Sequence, residues 1–262
     1  MEECNKHVVE NVINKMDPIS LEEMDYVKLM RRRDTKFVIP AEKVAGIIDS
    51  VKNHYRVLEI DEKRIHGYQT LYYDTPEFEM YRSHHNGRLN RYKIRVRKYL
   101  TSDISFLEVK YKNNRRETIK RRIRPETPEV ITGTDSVEFL SKNSPYSPAE
   151  IQPSLMNTFC RITIVHKSIA ERITIDLGLE FKDINGKEDM EIPNLAIIEV
   201  KRDRDSSPSN MTELLKENNI RASGFSKYCM GTALTNPAVK KNLFIKNMRY
   251  ISRFEPVFEK YK

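Results

Sequence analysis

The chain has 262 residues, 39% hydrophobic and 32% charged, with a formal net charge of +8 and no Trp. That length allows one large domain with a full core or two small ones, and charges that alternate with aliphatic residues argue for half-buried strands and against disorder. Cys4, Cys160 and Cys229 are far apart and form no Cys-x-x-Cys pair, so they suggest neither a disulfide framework nor a zinc site and point to a reducing compartment.

Residues 1–28 form a polar N-terminal segment, expected to be helical over 21–28, without the apolar core of a signal peptide. No run approaches the roughly 18 apolar residues of a membrane span, so a soluble, cytoplasmic protein is expected. Residues 29–39 read as a first strand, stopped by Pro40, and 41–53 as a helix with Val44, Ile47, Ile48 and Val51 on one face. Strands follow at 55–60 and 67–74, then a turn at 74–76 and a polar loop at 83–87. His84 and His85 lie in that loop without Cys or His at metal-ligand spacing, and read as surface residues. Three closely spaced strands at 90–99, 104–112 and 115–124 read as an antiparallel meander. The stretch 125–153, rich in Pro, Ser and Thr, holds one helical turn at 136–142. Strands resume at 160–166, 172–177 and 195–201, with an Asn185-Gly186 turn before the last. One helix runs from Ser207-Pro208 to about 218 and another, with Ser226 as N-cap, to about 234. The division is therefore 1–28, a single main domain over 29–235, and a basic aromatic tail over 236–262.

Charge is concentrated in one place. Residues 88–124 carry 14 basic against 3 acidic side chains, while the rest of the chain is close to neutral. Along the first strand of this window Arg91, Lys93, Arg95 and Arg97 alternate with Tyr92, Ile94 and Val96. Side chains alternate along a strand, so these cations share one face. By the same parity Lys36, Glu108, Lys110, Lys120 and Arg122 join Arg95 and Arg97, and Arg161, Arg172, Asp176, Glu199 and Lys201 oppose the aliphatics of later strands. A solvated sheet face would mix signs, because like charges facing one another cost about 0.2 to 1 kcal/mol per pair. The arginine content also suits phosphate, whose oxygens accept the guanidinium fork two at a time. Among these cations the acids Glu108 and Glu199 read either as charge balance or as ligands for a divalent metal that bridges phosphate oxygens. Gly224 to Tyr228 opens a helix with a hydroxyl, Ser226, and an ammonium, Lys227, at its N-terminus, a compact anion site. There is no phosphate-binding glycine loop, dinucleotide fingerprint or Ser-His-Asp arrangement.

These segments resemble a known family. Thr35-Lys36-Phe37, Tyr72-Tyr73-Asp74-Thr75, Arg95-Val96-Arg97, Glu108-Val109-Lys110, Glu199-Val200-Lys201 and Phe225-Ser226-Lys227 are together similar to the VTC domain, the catalytic domain of vacuolar transporter chaperone polyphosphate polymerases, a triphosphate tunnel metalloenzyme. The resemblance spans about residues 29–234. It implies an α+β fold with a closed antiparallel β-barrel of about eight strands, a charged interior and surrounding helices. It implies that Lys36, Arg95, Arg97, Lys110, Arg161 and Arg172 act on the transferred phosphate, that Lys120, Arg122, Lys201, Ser226 and Lys227 bind phosphates, and that Glu199 and Glu108 hold Mn²⁺ or Mg²⁺. Relatives often carry Lys where this chain has Gly224. Without an SPX domain or membrane helices the chain resembles a stand-alone bacterial type.

The function expected is an ATP-dependent polyphosphate polymerase, metal-dependent, with ATP and inorganic polyphosphate as partners and self-association allowed. A triphosphate or nucleoside triphosphate hydrolase of the same fold and a non-catalytic polyphosphate binder are the alternatives. Nucleic acid is disfavoured, because the cationic strands lack the aromatic platform that single strands stack on.

Overall fold

The computed structural model describes residues 3–25, 32–115, 117–127, 131–184, 188–203 and 208–261. The N-terminal part runs α1 (Glu3–Ile13), β1 (Pro18–Ile19), α2 (Leu21–Asp25), β2 (Arg32–Pro40), α3 (Lys43–Val51), β3 (Tyr55–Leu58), β4 (His66–Asp74) and α4 (Glu79–His85). The meander is β5 (Arg91–Tyr99), β6 (Ile104–Lys112) and β7 (Thr118–Ile123), followed by α5 (Thr134–Asn143). The second half is β8 (Gln152–His166), β9 (Glu171–Asp183), β10 (Asp189–Ile192), β11 (Leu195–Asp203), α6 (Asn210–Glu217), α7 (Lys227–Thr235) and α8 (Ile245–Ile251), and the chain ends in a 3-10 segment, Pro256–Tyr261. The Asn185-Gly186 turn and residue 207 lie outside the described residues, as do 26–31.

Eight strands form one antiparallel path in the order β2-β11-β9-β8-β4-β5-β6-β7, with β10 and β3 extending β9 and β8, and β1 parallel to β3. The expected closed barrel is a half-barrel: among the described residues no ladder joins β2 to β7. Physics explains the gap. The edge strand β7 has six residues, five of them exposed, and three in a row are Lys120, Arg121 and Arg122. Pairing it with β2, which carries Arg33 and Lys36, would set cation against cation.

The convex face is covered in two places. Ile162, Ile164, Ile173, Ile175, Ile198 and Val200 pack under α1, α3 and α6, and Ile94, Val96, Leu107 and Val109 pack under α5 through Phe139 and Leu140. A third core lies on the concave side. There Tyr68, Tyr72, Leu155, Phe159, Leu179, Phe181 and Ile197 meet Tyr228, Met230 and Ala233 of α7 and, beyond it, Met248, Ile251 and Phe258 of the tail. The helix α7 therefore fills one end of the curl, and the cationic face lines the rest.

Curvature comes from irregular pairing. The β8–β9 ladder shifts register between Thr158 and Cys160, opposite Gly178, whose φ of +58° suits a residue without Cβ. Beyond this bulge the parity of β9 flips: Asp176 faces the concave side before it, Leu179 and Phe181 after it. Charged lining thus gives way to apolar lining within one strand. The loop expected at 83–87 is mostly helix, with Ser83, His84 and His85 in α4, and His85 is buried against Tyr81 and Phe244 instead of lying on the surface.

Candidate functional site

Register brings the cationic strands together in rows. Lys93, Lys110 and Lys120 are neighbours across β5, β6 and β7, and Arg95, Glu108 and Arg122 form the next row. On the opposite wall Lys36 pairs with Glu199, Lys201 with Arg172, and Arg161 with Asp176. Ser226 and Lys227 enter from the N-terminus of α7, whose cap is made by Ser226 Oγ accepting from Cys229 N.

Three carboxylates organise these cations, each serving two. Glu108, 1% exposed, accepts from Arg95 Nε at 2.7 Å and also pairs with Lys120. Asp176 takes Arg161 Nε at 2.5 Å and a second guanidinium nitrogen at 2.8 Å, and pairs with Lys227. Glu199 lies 2.8 Å from Lys201 and 3.8 Å from Lys36. Burial alone would raise all three acids. The cations outweigh it and hold each well below the ordinary carboxylate range: Arg95, Arg97 and Lys120 for Glu108, Arg161 and Lys227 for Asp176, Lys201 and Lys36 for Glu199.

Other contacts fix the remaining heads. Lys36 Nζ donates to the Phe225 carbonyl at 2.9 Å, and Lys93 Nζ to Ser226 Oγ at 2.9 Å, so both walls are tied to the turn before α7. Arg161 lies over Tyr68 and Phe159, Lys227 over Phe159, and Arg122 over Phe106 at 4.6 Å. Arg97 differs. It is 9% exposed, faces Tyr68 at 5.9 Å, has no carboxylate within 4 Å among the described residues, and its Nε has no hydrogen-bond acceptor.

Crowding lowers the lysines. Burial and neighbouring cations bring Lys110 and Lys227 to about 7, and Lys93 and Lys120 to about 8. Asp176 opposes the shift at Lys227, and Glu108 opposes it at Lys120. Lys110 and Lys120 nonetheless keep contact with solvent. His84, flanked by Lys93, Arg91, Lys110 and Lys112, is driven by burial and these cations down to about 2 and is neutral.

The sites named from parity thus converge on one concave face, although Glu108, expected as a metal ligand beside Glu199, is the ion-pair partner of Arg95 and Lys120. Among the described residues no three acids, histidines or cysteines cluster. Glu199 is the most accessible of the three carboxylates, at 17% side-chain exposure, and a carboxylate oxygen of this kind can ligate a divalent cation. Sequence parity placed Lys93 on this face with Arg95, but the family resemblance gave it no role. The tyrosines Tyr68 and Tyr72, which steer Arg161 and Arg95, carried no signal beyond their place on the same strand face.

The fold and site define a class: a cation-lined antiparallel half-barrel with a helix N-terminus at its mouth. The chain belongs to the VTC domain family, which it matches over residues 31–236. No curated protein matches it. It is similar to solved structures of a candidate adenylate cyclase from Vibrio parahaemolyticus (11% identity, TM-score 0.47, covering 78% of this chain and 99% of that one). Another is a candidate adenylate cyclase from Bacillus halodurans (14%, 0.46, 75% and 96%). A third is a candidate adenylyl cyclase from Hippeastrum described as having a dominant triphosphatase activity (16%, 0.48, 78% and 96%). No helix of the described residues is long and apolar enough to cross a membrane.

Proposed function

We propose that this protein is an ATP-dependent polyphosphate polymerase that transfers the γ-phosphoryl group of ATP to the end of a phosphate chain held in the curl. The observation that carries this reading is Arg97, a nearly buried guanidinium that has no carboxylate within 4 Å among the described residues and whose Nε has no acceptor. An unpaired buried charge costs several kcal/mol, and the neighbouring Lys93 and Lys110 also have no carboxylate within 4 Å among the described residues. The face is complete only with an anion on it. The cations of β5 continue from Arg97 back to Arg91, about 20 Å at the strand rise of roughly 3.4 Å per residue, more than one triphosphate occupies. That favours a chain as second substrate, in keeping with the VTC family.

In this mechanism the chain-terminal phosphate oxygen attacks the γ-phosphorus in line, the new P–O bond forms as the bond to the β-phosphate oxygen breaks, and ADP leaves. No protein nucleophile is needed, because positioning and charge neutralisation do most of the work in phosphoryl transfer. Arg95, Arg97, Arg161 and Arg172 hold the triphosphate, Lys36 and Lys201 support the wall around Glu199, and Lys110, Lys120, Arg122 and Lys227 guide the chain, with Ser226 at the helix N-terminus. Glu108 and Asp176 keep the guanidinium and ammonium heads in place before substrate arrives. A Mn²⁺ or Mg²⁺ ion at Glu199 would neutralise phosphate oxygens as charge moves to the leaving group.

The gap between β2 and β7 supports a second reading, a hydrolase of the same site, because it admits water as acceptor. Product analysis separates the two. Incubation with ATP and either Mn²⁺ or Mg²⁺, followed by a polyphosphate-staining gel and assays for ADP and free phosphate, yields long chains with ADP from a polymerase. Free phosphate without chains would establish the hydrolase, and no turnover with either metal would leave a binding protein.

A further inference from the structure

The tail after residue 236 lies beyond the family match, yet it is built onto the site. Phe244 packs on Tyr81 and His85, the Lys240 carbonyl accepts from Tyr81 Oη at 2.7 Å, and Asn247 Nδ2 donates to the Gly224 carbonyl at 2.7 Å. Gly224 begins the turn whose next two residues receive Lys36 and Lys93. The helix α8 therefore stands beside the turn to which Lys36 and Lys93 of the two cationic walls are tied. A Cβ at position 224 would meet nothing within 4 Å, so there is free space beside this turn.

The outer face of α8 is cationic and unneutralised. Met248 and Ile251 are buried, while Lys246 and Arg249 of α8 and Arg253 in the turn that follows it are exposed. Among the described residues none of the three has a carboxylate within 4 Å, and Arg253 meets only the Tyr250 ring at 5.9 Å. This contrasts with the curl, where most cations are held by acids. A solvated helix face ordinarily interleaves both signs.

We propose that Lys246, Arg249 and Arg253 form a second polyanion-binding surface, outside the curl, which takes the phosphate chain as it passes Gly224. The proposal rests on the polyphosphate reading of the site and identifies where the chain goes. A lipid surface fits less well, because Met248 and Ile251, the apolar side of α8, are already committed to the core. A nucleic acid fits less well too, because Tyr250, 37% exposed, is covered by Arg253 and sits edge-on to Phe254, which leaves no stacking platform.

The test compares the wild-type chain with Lys246→Glu/Arg249→Glu/Arg253→Glu and with the corresponding triple Gln variant, by calorimetric titration without nucleotide at fixed ionic strength. The probes are sodium tripolyphosphate and long-chain sodium polyphosphate. The long chain is expected to lose about tenfold or more in affinity in the Glu variant, less in the Gln variant, with a shallower salt dependence. Tripolyphosphate, confined to the curl, is expected to bind all three proteins alike. Unchanged long-chain affinity in both variants would overturn the proposal, as would wild-type binding of RNA or anionic phosphatidylserine vesicles, lost in the variants, with no such loss for polyphosphate. Failure of tripolyphosphate to bind the wild type would instead overturn the reading of the curl.

Discussion

Arg161 and Asp176 face each other across β8 and β9 in a two-point ion pair, and Lys227 of α7 closes on the same carboxylate. One acid thus couples the sheet to the helix that fills its end. Removing one partner from a buried pair leaves uncompensated charge, at a cost of about 3 to 5 kcal/mol. Asp176→Asn should therefore lower stability by an amount in that range, measured by urea denaturation. Because a bound phosphate supplies the missing negative charge, saturating tripolyphosphate should narrow the gap in Tm between variant and wild type. A gap that stays constant with ligand would show that Asp176 serves folding alone.

The lysines predict opposite pH trends for stability and binding. Lys110 and Lys227 titrate at about 7, and Lys93 and Lys120 at about 8, in the folded protein, against an ordinary value of 10.5. Between these limits the unfolded chain binds more protons, so the stability of the free protein rises from about pH 7 toward pH 10. Over the same interval the folded protein loses cations, so tripolyphosphate affinity falls, and binding near pH 8 is accompanied by proton uptake. Thermal melts across this range, paired with titrations in two buffers of different ionisation enthalpy, read both slopes. Parallel slopes would refute the account.

Much of this arrangement is written in local alternation. The period-two pattern through Arg91, Lys93, Arg95 and Arg97 and the order of strands in the meander follow from residues a few positions apart, and the structure pairs Arg95 with Glu108 and Arg122 in register. What escapes is set by distant parts of the chain. Parity along β9 reverses at Gly178, and only the ladder to β8 reveals it. The entry of α7 into the concave side had a signal, since Lys227–Thr235 is apolar nearly all round and such a helix is buried on every side. Whether eight strands close depends on how the cations of β2 and β7 oppose one another, a contact no local pattern encodes. That Arg95 makes a salt bridge and Arg97 does not depends on one strand neighbour, Phe106 in place of a carboxylate.

Glu199 separates charge balance from metal binding. Its two neighbours, Lys201 at 2.8 Å and Lys36 at 3.8 Å, would both be freed toward phosphate in Glu199→Gln. The variant should therefore bind tripolyphosphate in the absence of metal at least as tightly as wild type. If the carboxylate holds the metal, turnover with ATP should fall by at least about a hundredfold, and added Mn²⁺ should no longer enhance tripolyphosphate binding. A metal response equal to that of the wild type would assign Glu199 to charge balance.

Gly231 links packing to the site. It lies in the middle of α7, and a Cβ there would meet Leu155 Cδ2 at 2.6 Å and press on the Phe181 ring, both on the concave side of the sheet. Neither can retreat far, because Leu155 and Phe181 are themselves about 1% exposed, and overpacking of this kind costs about 1 to 3 kcal/mol. Gly231→Ala would relieve the clash by lifting α7 from the sheet, which carries Lys227 from Asp176 and Ser226 from Lys93. The expected result is a destabilisation of that size by denaturant titration, together with a severalfold weaker tripolyphosphate affinity measured at a temperature where the variant remains folded. Gly46 in α3 supplies the control: a Cβ there meets nothing within 4 Å, so Gly46→Ala should leave tripolyphosphate affinity unchanged and raise helix stability by up to about 1 kcal/mol. Loss of affinity in both variants would mean that binding responds to helix substitutions in general, and would remove α7 from its place as the support of the phosphate site.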